Sequence, residues 1–411
     1  MSVRLYLKEA FCDWGSATKS KVRKFSEERL EAEIEWFGDN EIAYVDCCDA
    51  NFGMFQERDQ WIATKLAETK QRTGYPEALG LTWVKSSSER IIPIARVLAS
   101  SGLLRGVSLS VQSLDSDVLR IVKRSNVKFD SFKGLIDRFD AEGLRSYTEL
   151  ILGLPGETAE SFKRTWETLA ALDPAPAIMT WNCSVFVNAP MNDPAYLTEH
   201  GIETFDSPMF VAHSKPGETT GEYERMVRRT RTLPGDDIIE VYVWNWLMLT
   251  FHAFGLTNLL ARQSGETFTD FYESLANYCW RSDGLCKHSL FGEEYSKAWE
   301  HAQKGYDGKG WDHYDPELGD VTWPMEEASW LRLARDPSKL RQEIKGFIKE
   351  EYPYLLPHVT EQMSRISKPE GDPIQWGIET MWHGRRSQRY RVKPKESTSD
   401  CHGTDQSVNA M

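Results

Sequence analysis

Cysteine is scarce in this sequence: seven residues in 411, at irregular spacing. A secreted disulfide scaffold is a short chain with an even, closely spaced set, so that class is excluded and the thiols are expected to be mostly reduced. Long apolar runs are missing as well. The longest, around Val241 to Phe254, is interrupted by Asn245 and His252, and it falls short of the roughly 20 apolar residues needed to span a bilayer. Positive charge is in deficit: 49 Lys and Arg stand against 62 Asp and Glu, a net charge of −13. Non-specific nucleic-acid binding depends on clustered cations, so no nucleic-acid partner is expected, and no membrane partner either. No basic start leads into an apolar segment, so a cytoplasmic location is expected.

What is present is ordinary for a globular protein, with 40% apolar and 27% charged residues, and the length allows two or three domains. Ser26 followed by Glu27 and Glu28 reads as a capped helix start, and Leu30, Ile34 and Phe37 give that helix one apolar face, with Gly38 as its stop. A β-prone run, Ile42 to Cys48, ends in Asp49-Ala50-Asn51-Phe52-Gly53. The unit then repeats. Strands are expected over Leu79 to Val84, Gly106 to Gln112, Tyr147 to Leu152 and Ile178 to Val187, with helices between them, one over Ser88 to Ser100. Units of roughly 30–40 residues in this order indicate βαβ crossovers and a parallel sheet. Each strand gathers polar residues at its C-terminal end, where barrels and open doubly wound sheets alike place their ligands.

After about Pro190 the rhythm changes. Ten of the fifteen Trp residues lie beyond position 180, which indicates a folded second domain rather than a linker. Helices are expected over Glu222 to Arg231, Val241 to Arg262, Thr269 to Trp280 and Lys339 to Lys349. From Gly384 the chain is polar and Arg-rich, a solvated tail.

Four motifs stand in order at strand ends: Phe11-Cys12-Asp13-Trp14-Gly15, Asp49-Ala50-Asn51-Phe52-Gly53, Ser108-Leu109-Ser110-Val111-Gln112-Ser113, and Glu149-Leu150-Ile151-Leu152-Gly153-Leu154-Pro155-Gly156-Glu157-Thr158. Together they resemble the radical SAM superfamily, most closely members with an N-terminal cobalamin-binding domain. The resemblance covers residues 11–195. It implies an α/β fold: a partial (β/α) TIM-type barrel over 1–195 with its first strand missing, a mainly helical Trp-rich domain over 196–383, and a disordered tail over 384–411. It also implies reductive cleavage of S-adenosylmethionine at a 4Fe-4S cluster, with cobalamin supplied by a missing domain or partner. Where cobalamin is so supplied, methyl transfer to carbon or phosphorus of an organic small molecule is implied, with a ferredoxin or flavodoxin as electron donor.

In that family a Cys-x3-Cys-x-aromatic-Cys loop supplies three thiolates, soft ligands suited to an iron–sulfur cluster. Cys12 matches the third cysteine and Phe11 the aromatic before it; Leu5 and Glu9 stand where the other two are expected. Asp49, Ala50 and Asn51 occupy the place that receives the methionine amino group, although the same residues would serve as a strand-to-helix turn. Ser110 and Gln112 are expected on one face of a strand, toward the cofactor's ribose or carboxylate. Glu149 and Leu152 belong to the fifth-strand motif, Leu152 near the adenine. Lys85 reads equally as a carboxylate ligand and as an exposed strand-end residue.

The other cysteines do not restore the ligand set. Cys47 and Cys48 are consecutive on a strand and face opposite sides, and Cys183 has no partner in the sequence. Cys279, Cys286 and His288 lack a fourth ligand at zinc-finger spacing. His252 reads as a satisfied core histidine. Two rival readings follow. One is a non-catalytic barrel that binds S-adenosylmethionine or a partner without a cluster. The other is a phosphate-binding lyase, which needs a late Gly-rich anion loop that the sequence does not contain.

Overall fold

Ser26 opens the first helix of the computed structural model, its Oγ accepting from the Arg29 N–H at 3.4 Å, with Glu27 and Glu28 beside the positive end of the dipole. The structure describes residues 9–12, 24–84, 88–104, 106–173, 175–217, 221–280 and 289–366. Leu5, Asp13, Trp14, Gly15, Lys85, Ser86, Cys286, His288, the polar tail and the side chain of Ala50 lie outside the described residues. Helix α1 (Glu27–Asp39) continues through Gly38 rather than stopping there. A Cβ at Gly38 would stand 2.6 Å from Thr69 Cγ2, so this glycine serves the close approach of α1 to α2 (Gln56–Thr73).

Five strands follow one another in sequence order, each parallel to its neighbour. They are β1 (Tyr44–Phe52), β2 (Ala78–Trp83), β3 (Val107–Ser108), β4 (Ser146–Leu152) and β5 (Ala177–Asn182). β1 pairs with β2, and β3 with β4 and β4 with β5; a single bridge from Leu79 to Leu104 links the two groups. Helix α2, α3 (Ser88–Ser100), the pair α4 (Ser116–Ile121) and α5 (Phe129–Ala141), and α6 (Ala159–Ala170) form the crossovers, as parallel pairing requires. A short helix, α7 (Pro194–His200), leads to β6 (Glu203–Pro208) and β7 (Tyr223–Arg229), an antiparallel pair. β7 joins the chain just past β5: the Val227 N–H donates to the Cys183 carbonyl at 2.9 Å and the Val185 N–H to that of Arg225 at 2.7 Å. Among the described residues the strands form an arc, not a closed barrel.

Four expectations are corrected. The strand expected from Gly106 to Gln112 keeps a ladder only at Val107 and Ser108. Gln112 sits at φ +64, a left-handed conformation that no ladder sustains, and it rejoins the sheet as a single bridge to Leu150. Ser110 and Gln112 therefore do not share one regular strand. The strand expected to reach Val187 ends at Asn182. The helix expected over Glu222 to Arg231 is strand β7; its charged residues suit a solvent-facing strand face as well as a helix, and pairing with β6 while burying Met226 and Val227 decides the matter. The helix expected from Val241 to Arg262 is broken into α8 (Gly235–Leu247), a π-turn over Met248–Ala253 and α9 (Asn258–Gln263), with Gly255 at φ +77 between the last two.

The remaining elements are α10 (Phe268–Cys279), α11 (Leu290–Lys304), β8 (His313–Tyr314), β9 (Thr322–Trp323), α12 (Met325–Arg335), α13 (Pro337–Glu351) and α14 (Val359–Ser364). One apolar core runs from Leu150, Leu152, Phe162 and Trp166 in the arc to Trp246, Phe271 and Trp330 in the helices. Polar ties cross the same boundary. The Trp166 Nε1–H donates to Asn245 Oδ1 at 3.0 Å, and the Glu167 carboxylate accepts the Phe268 and Thr269 N–H groups at 3.1 and 2.9 Å, capping α10. Among the described residues no helix is long and apolar enough to cross a membrane.

Candidate active-site cavity

A cavity of about 1230 Å³ opens between the inner face of β4 and β5 and the helices α8, α11 and α12. Its two ends differ. One is built by the parallel arc and carries Phe11, Cys12, Gln112, Glu149 and Ile151; the other is built by the C-terminal segments and carries Phe210, His213, Tyr242, Trp246, Trp311, Glu326 and Glu327.

On β4 the side chains alternate. Glu149 and Ile151 line the cavity, while Thr148, Leu150 and Leu152 turn to the buried side. Leu152, expected near the adenine, is thus packed into the core, and Ile151 holds the position facing the cavity. The Glu149 carboxylate accepts from Ser110 Oγ and from Trp181 Nε1 at 3.3 Å. Gln112 lines the same wall, and its Oε1 is buried without a hydrogen-bond partner. Such an atom costs free energy unless a donor meets it.

The Asp49–Gly53 turn lies at the end of β1, apart from the cavity lining. Asp49 accepts from the Asn51 N–H at 3.1 Å and pairs with Arg58 at 3.1 Å. Asp59, which the sequence reading passed over, anchors the turn by accepting the Gly53 and Phe55 N–H groups at 2.7 and 3.1 Å. Gly53, at φ +95, would place a Cβ 2.6 Å from Ile91 Cγ2, so only glycine fits there.

Cys12 lines the cavity beside Phe11. The segment is held by backbone bonds, Ala10 N–H to the Val122 carbonyl at 2.8 Å and Met191 N–H to the Ala10 carbonyl at 2.7 Å. Glu9 is buried and paired with the buried Arg124 at 2.9 Å, and burial pulls the Arg124 pKa down from its usual range. Among the described residues no three His, Cys, Asp or Glu side chains gather to hold a metal ion. Cys183 lies on the cavity wall but is nearly inaccessible, and burial pushes its thiol up to about 12. Cys47 packs among core residues of the β1–β2 layer, and burial raises its thiol too. The residues present therefore do not by themselves fit a cluster held by three thiolates.

The aromatic end came from segments with no motif to announce them. His213 Nε2 and Glu327 Oε2 are 2.7 Å apart and nearly inaccessible. His213 holds φ +63, a strained conformation for a non-glycine residue. Glu326 is pushed up to about 7, first by burial and then by the charge of Glu327. His301 is pushed down to about 4 by burial. Its Nε2 meets the Trp311 carbonyl at 2.9 Å and its Nδ1 the Tyr242 hydroxyl at 3.1 Å. The outlying φ of His213 is the one local trace of this end, and it is invisible in sequence.

Residues 10–169 match the family described as the radical SAM superfamily. The chain is 37% identical over 275 residues to the cobalamin-dependent radical SAM methyltransferase TokK of Streptomyces tokunonensis, covering 66% of this chain and 40% of that protein. It is 31% identical over 364 residues to the 2-(S-pantetheinyl)-carbapenam-3-carboxylate methyltransferase of Streptantibioticus cattleyicolor, covering 82% of this chain and 52% of that protein. The chain thus spans about half the length, or less, of these curated relatives. Among solved structures, the radical S-adenosylmethionine methyltransferase TsrM of Kitasatospora setae aligns at 19% identity and a TM-score of 0.33, over 42% of this chain and 33% of that one. The four ordered strand-end motifs, the parallel arc that carries them and the match over residues 10–169 lead to one conclusion: this chain belongs to the radical SAM superfamily.

Proposed function

We propose that this chain forms the substrate-enclosing part of a cobalamin-associated radical SAM methyltransferase, acting on a carbon centre of an organic small molecule. The arc is read as the family's partial (β/α) barrel. The observation that carries the proposal is the cavity, whose arc-side wall brings Cys12, Gln112 and Glu149 together. The relatives that cover most of this chain are methyltransferases by name, which favours this reading over a non-catalytic barrel.

S-adenosylmethionine fits that wall. Gln112 Oε1 would accept from an ammonium or ribose hydroxyl, and Glu149 offers a second acceptor already oriented by Ser110 and Trp181. The bound cofactor supplies the methyl and adenosyl groups. The chain's own residues position it, and the aromatic end excludes water around the acceptor. Cys12 would offer one thiolate toward a cluster; the set present does not complete one, and no step is assigned to it. A ferredoxin or flavodoxin as electron donor and a cytoplasmic location belong to the same proposal.

The test is S-adenosylmethionine binding to the full chain, read by tryptophan fluorescence or calorimetry. Wild type is expected to bind. Gln112→Ala should weaken binding about 2- to 12-fold, the worth of one hydrogen bond. A wild-type chain with no affinity, or a folded Gln112→Ala chain with unchanged affinity, would refute the assignment.

A further inference from the structure

The cavity is unbalanced in charge. Glu149, Glu224, Glu326 and Glu327 line it, and among the described lining residues there is no Lys or Arg. Among the described residues the ion pair on these four carboxylates is that of Glu327 with His213, and the buried Arg124, off the cavity wall, interacts with Glu149 through space. Glu149 is met by the neutral Ser110 and Trp181, and Glu224 by Ser184 Oγ at 3.1 Å. Glu326 is stabilised by its own backbone N–H. The rings of Tyr242, Trp246 and Trp311 line the same end as Glu326; the Tyr242 phenol is raised first by burial and then by the charge of the nearby Glu326, and the Tyr242 and Trp311 ring centroids are 5.1 Å apart.

We infer that the aromatic end of the cavity takes the ammonium group of a largely apolar, amine-bearing substrate, with Glu326 as its ion-pair partner. The inference rests on the reading of this cavity as the substrate site. Rings and a carboxylate lining one cavity recognise a cation by quadrupole attraction and charge together. The cavity exceeds the several hundred cubic ångströms that a small-molecule ligand needs, so a substrate fits beside the cofactor wall.

One feature opposes the inference and is outweighed. The amino end of α12 meets the cavity at Pro324 and Met325, and a helix N-terminus carries about half a positive charge. Glu326 and Glu327 occupy that first turn, and the ionised form of Glu326 offsets it. A ligand carboxylate would meet Glu224 and Glu326 without a compensating cation.

Binding is also coupled to protons. The titratable groups that line the cavity with Glu326 include Glu327 on α12, His213 before it, Tyr242 on α8, His301 on α11 and Glu224 on β7; of these, Glu327 and Tyr242 interact with Glu326 directly through charge. With Glu326 held near 7 by burial, an arriving ammonium favours its ionised form. Amine affinity should therefore rise as pH increases from 6 to 8, and binding should release a proton.

The full chain, without iron, cobalamin or S-adenosylmethionine, is titrated with 2-phenylethylamine, 3-phenylpropionate and 2-phenylethanol, following tryptophan fluorescence. The amine is expected to bind at least about tenfold more tightly than the carboxylate, the scale of a charge-assisted bond. Glu326→Gln should remove that preference and the proton release. Three results overturn the inference: no detectable amine binding, a carboxylate that binds as tightly as the amine, or a folded Glu326→Gln chain that keeps wild-type amine affinity. The wild-type ranking needs no variant, so it decides the matter even where Glu326→Gln fails to fold. Cofactor binding is measured separately, so either result can fail while the other stands.

Discussion

His301 is a histidine whose proton inventory is set by its neighbours. The Trp311 carbonyl can only accept, so Nε2 carries the hydrogen and Nδ1 accepts from the Tyr242 hydroxyl. Burial then pushes its pKa down to about 4 from 6.5. Between those two values the unfolded chain binds a proton that the folded chain does not. The stabilisation is therefore complete above pH 6.5 and is lost as pH falls through 4. From pH 7 to pH 5 the loss amounts to about 2 kcal/mol. His313, pushed down to about 4 by burial and by Arg332, adds in the same direction. Urea unfolding at the two pH values should show this acid sensitivity, and His301→Gln, which keeps a donor and an acceptor, should reduce it. Equal sensitivity in the variant would refute the neutral, buried histidine.

At the scale of elements, the wall of the cavity depends on how α11 ends. Gly305 follows the last residue of that helix, and a Cβ there would stand 2.4 Å from Trp311 Cζ3. The indole that lines the cavity is thus seated directly on bare backbone. Gly305→Ala should force Trp311 outward and cost about 1–3 kcal/mol by overpacking, seen as a lower Tm together with a shifted tryptophan emission. An unchanged Tm would mean the ring is not seated there. Elements with chemical punctuation could be read from sequence: Ser26 caps α1, and Thr158 caps α6 in a reciprocal box with Ser161. Elements decided by a distant partner could not. β7 is a strand because β6 lies beside it, and the π-turn at Met248–Ala253 interrupts a helical pattern that the sequence carries unbroken.

At the scale of the whole molecule, legibility follows sequence distance. Cys12, Gln112 and Glu149, which line the cavity, could be named from sequence because each sits in a contiguous motif. His213 and Glu327 were missed because they are 114 residues apart in sequence and share no pattern that announces their meeting. The cluster question belongs to this scale too, because it concerns what the assembled chain can hold. At the place where the family gathers three thiolates, this chain offers Cys12, and the position of the second expected thiolate is filled by Glu9, locked to Arg124 at 2.9 Å. Breaking a buried ion pair to admit iron would leave a charge uncompensated, at a cost of about 3–5 kcal/mol. Anaerobic treatment of this chain with iron and sulfide should therefore leave well under one cluster per chain. Cys12→Ala should lower the retained iron further. A stoichiometric cluster whose electron paramagnetic resonance spectrum shifts on adding S-adenosylmethionine would show that Glu9 and Arg124 yield more readily than their burial implies. Iron retention indifferent to Cys12→Ala would remove Cys12 from the ligand assignment.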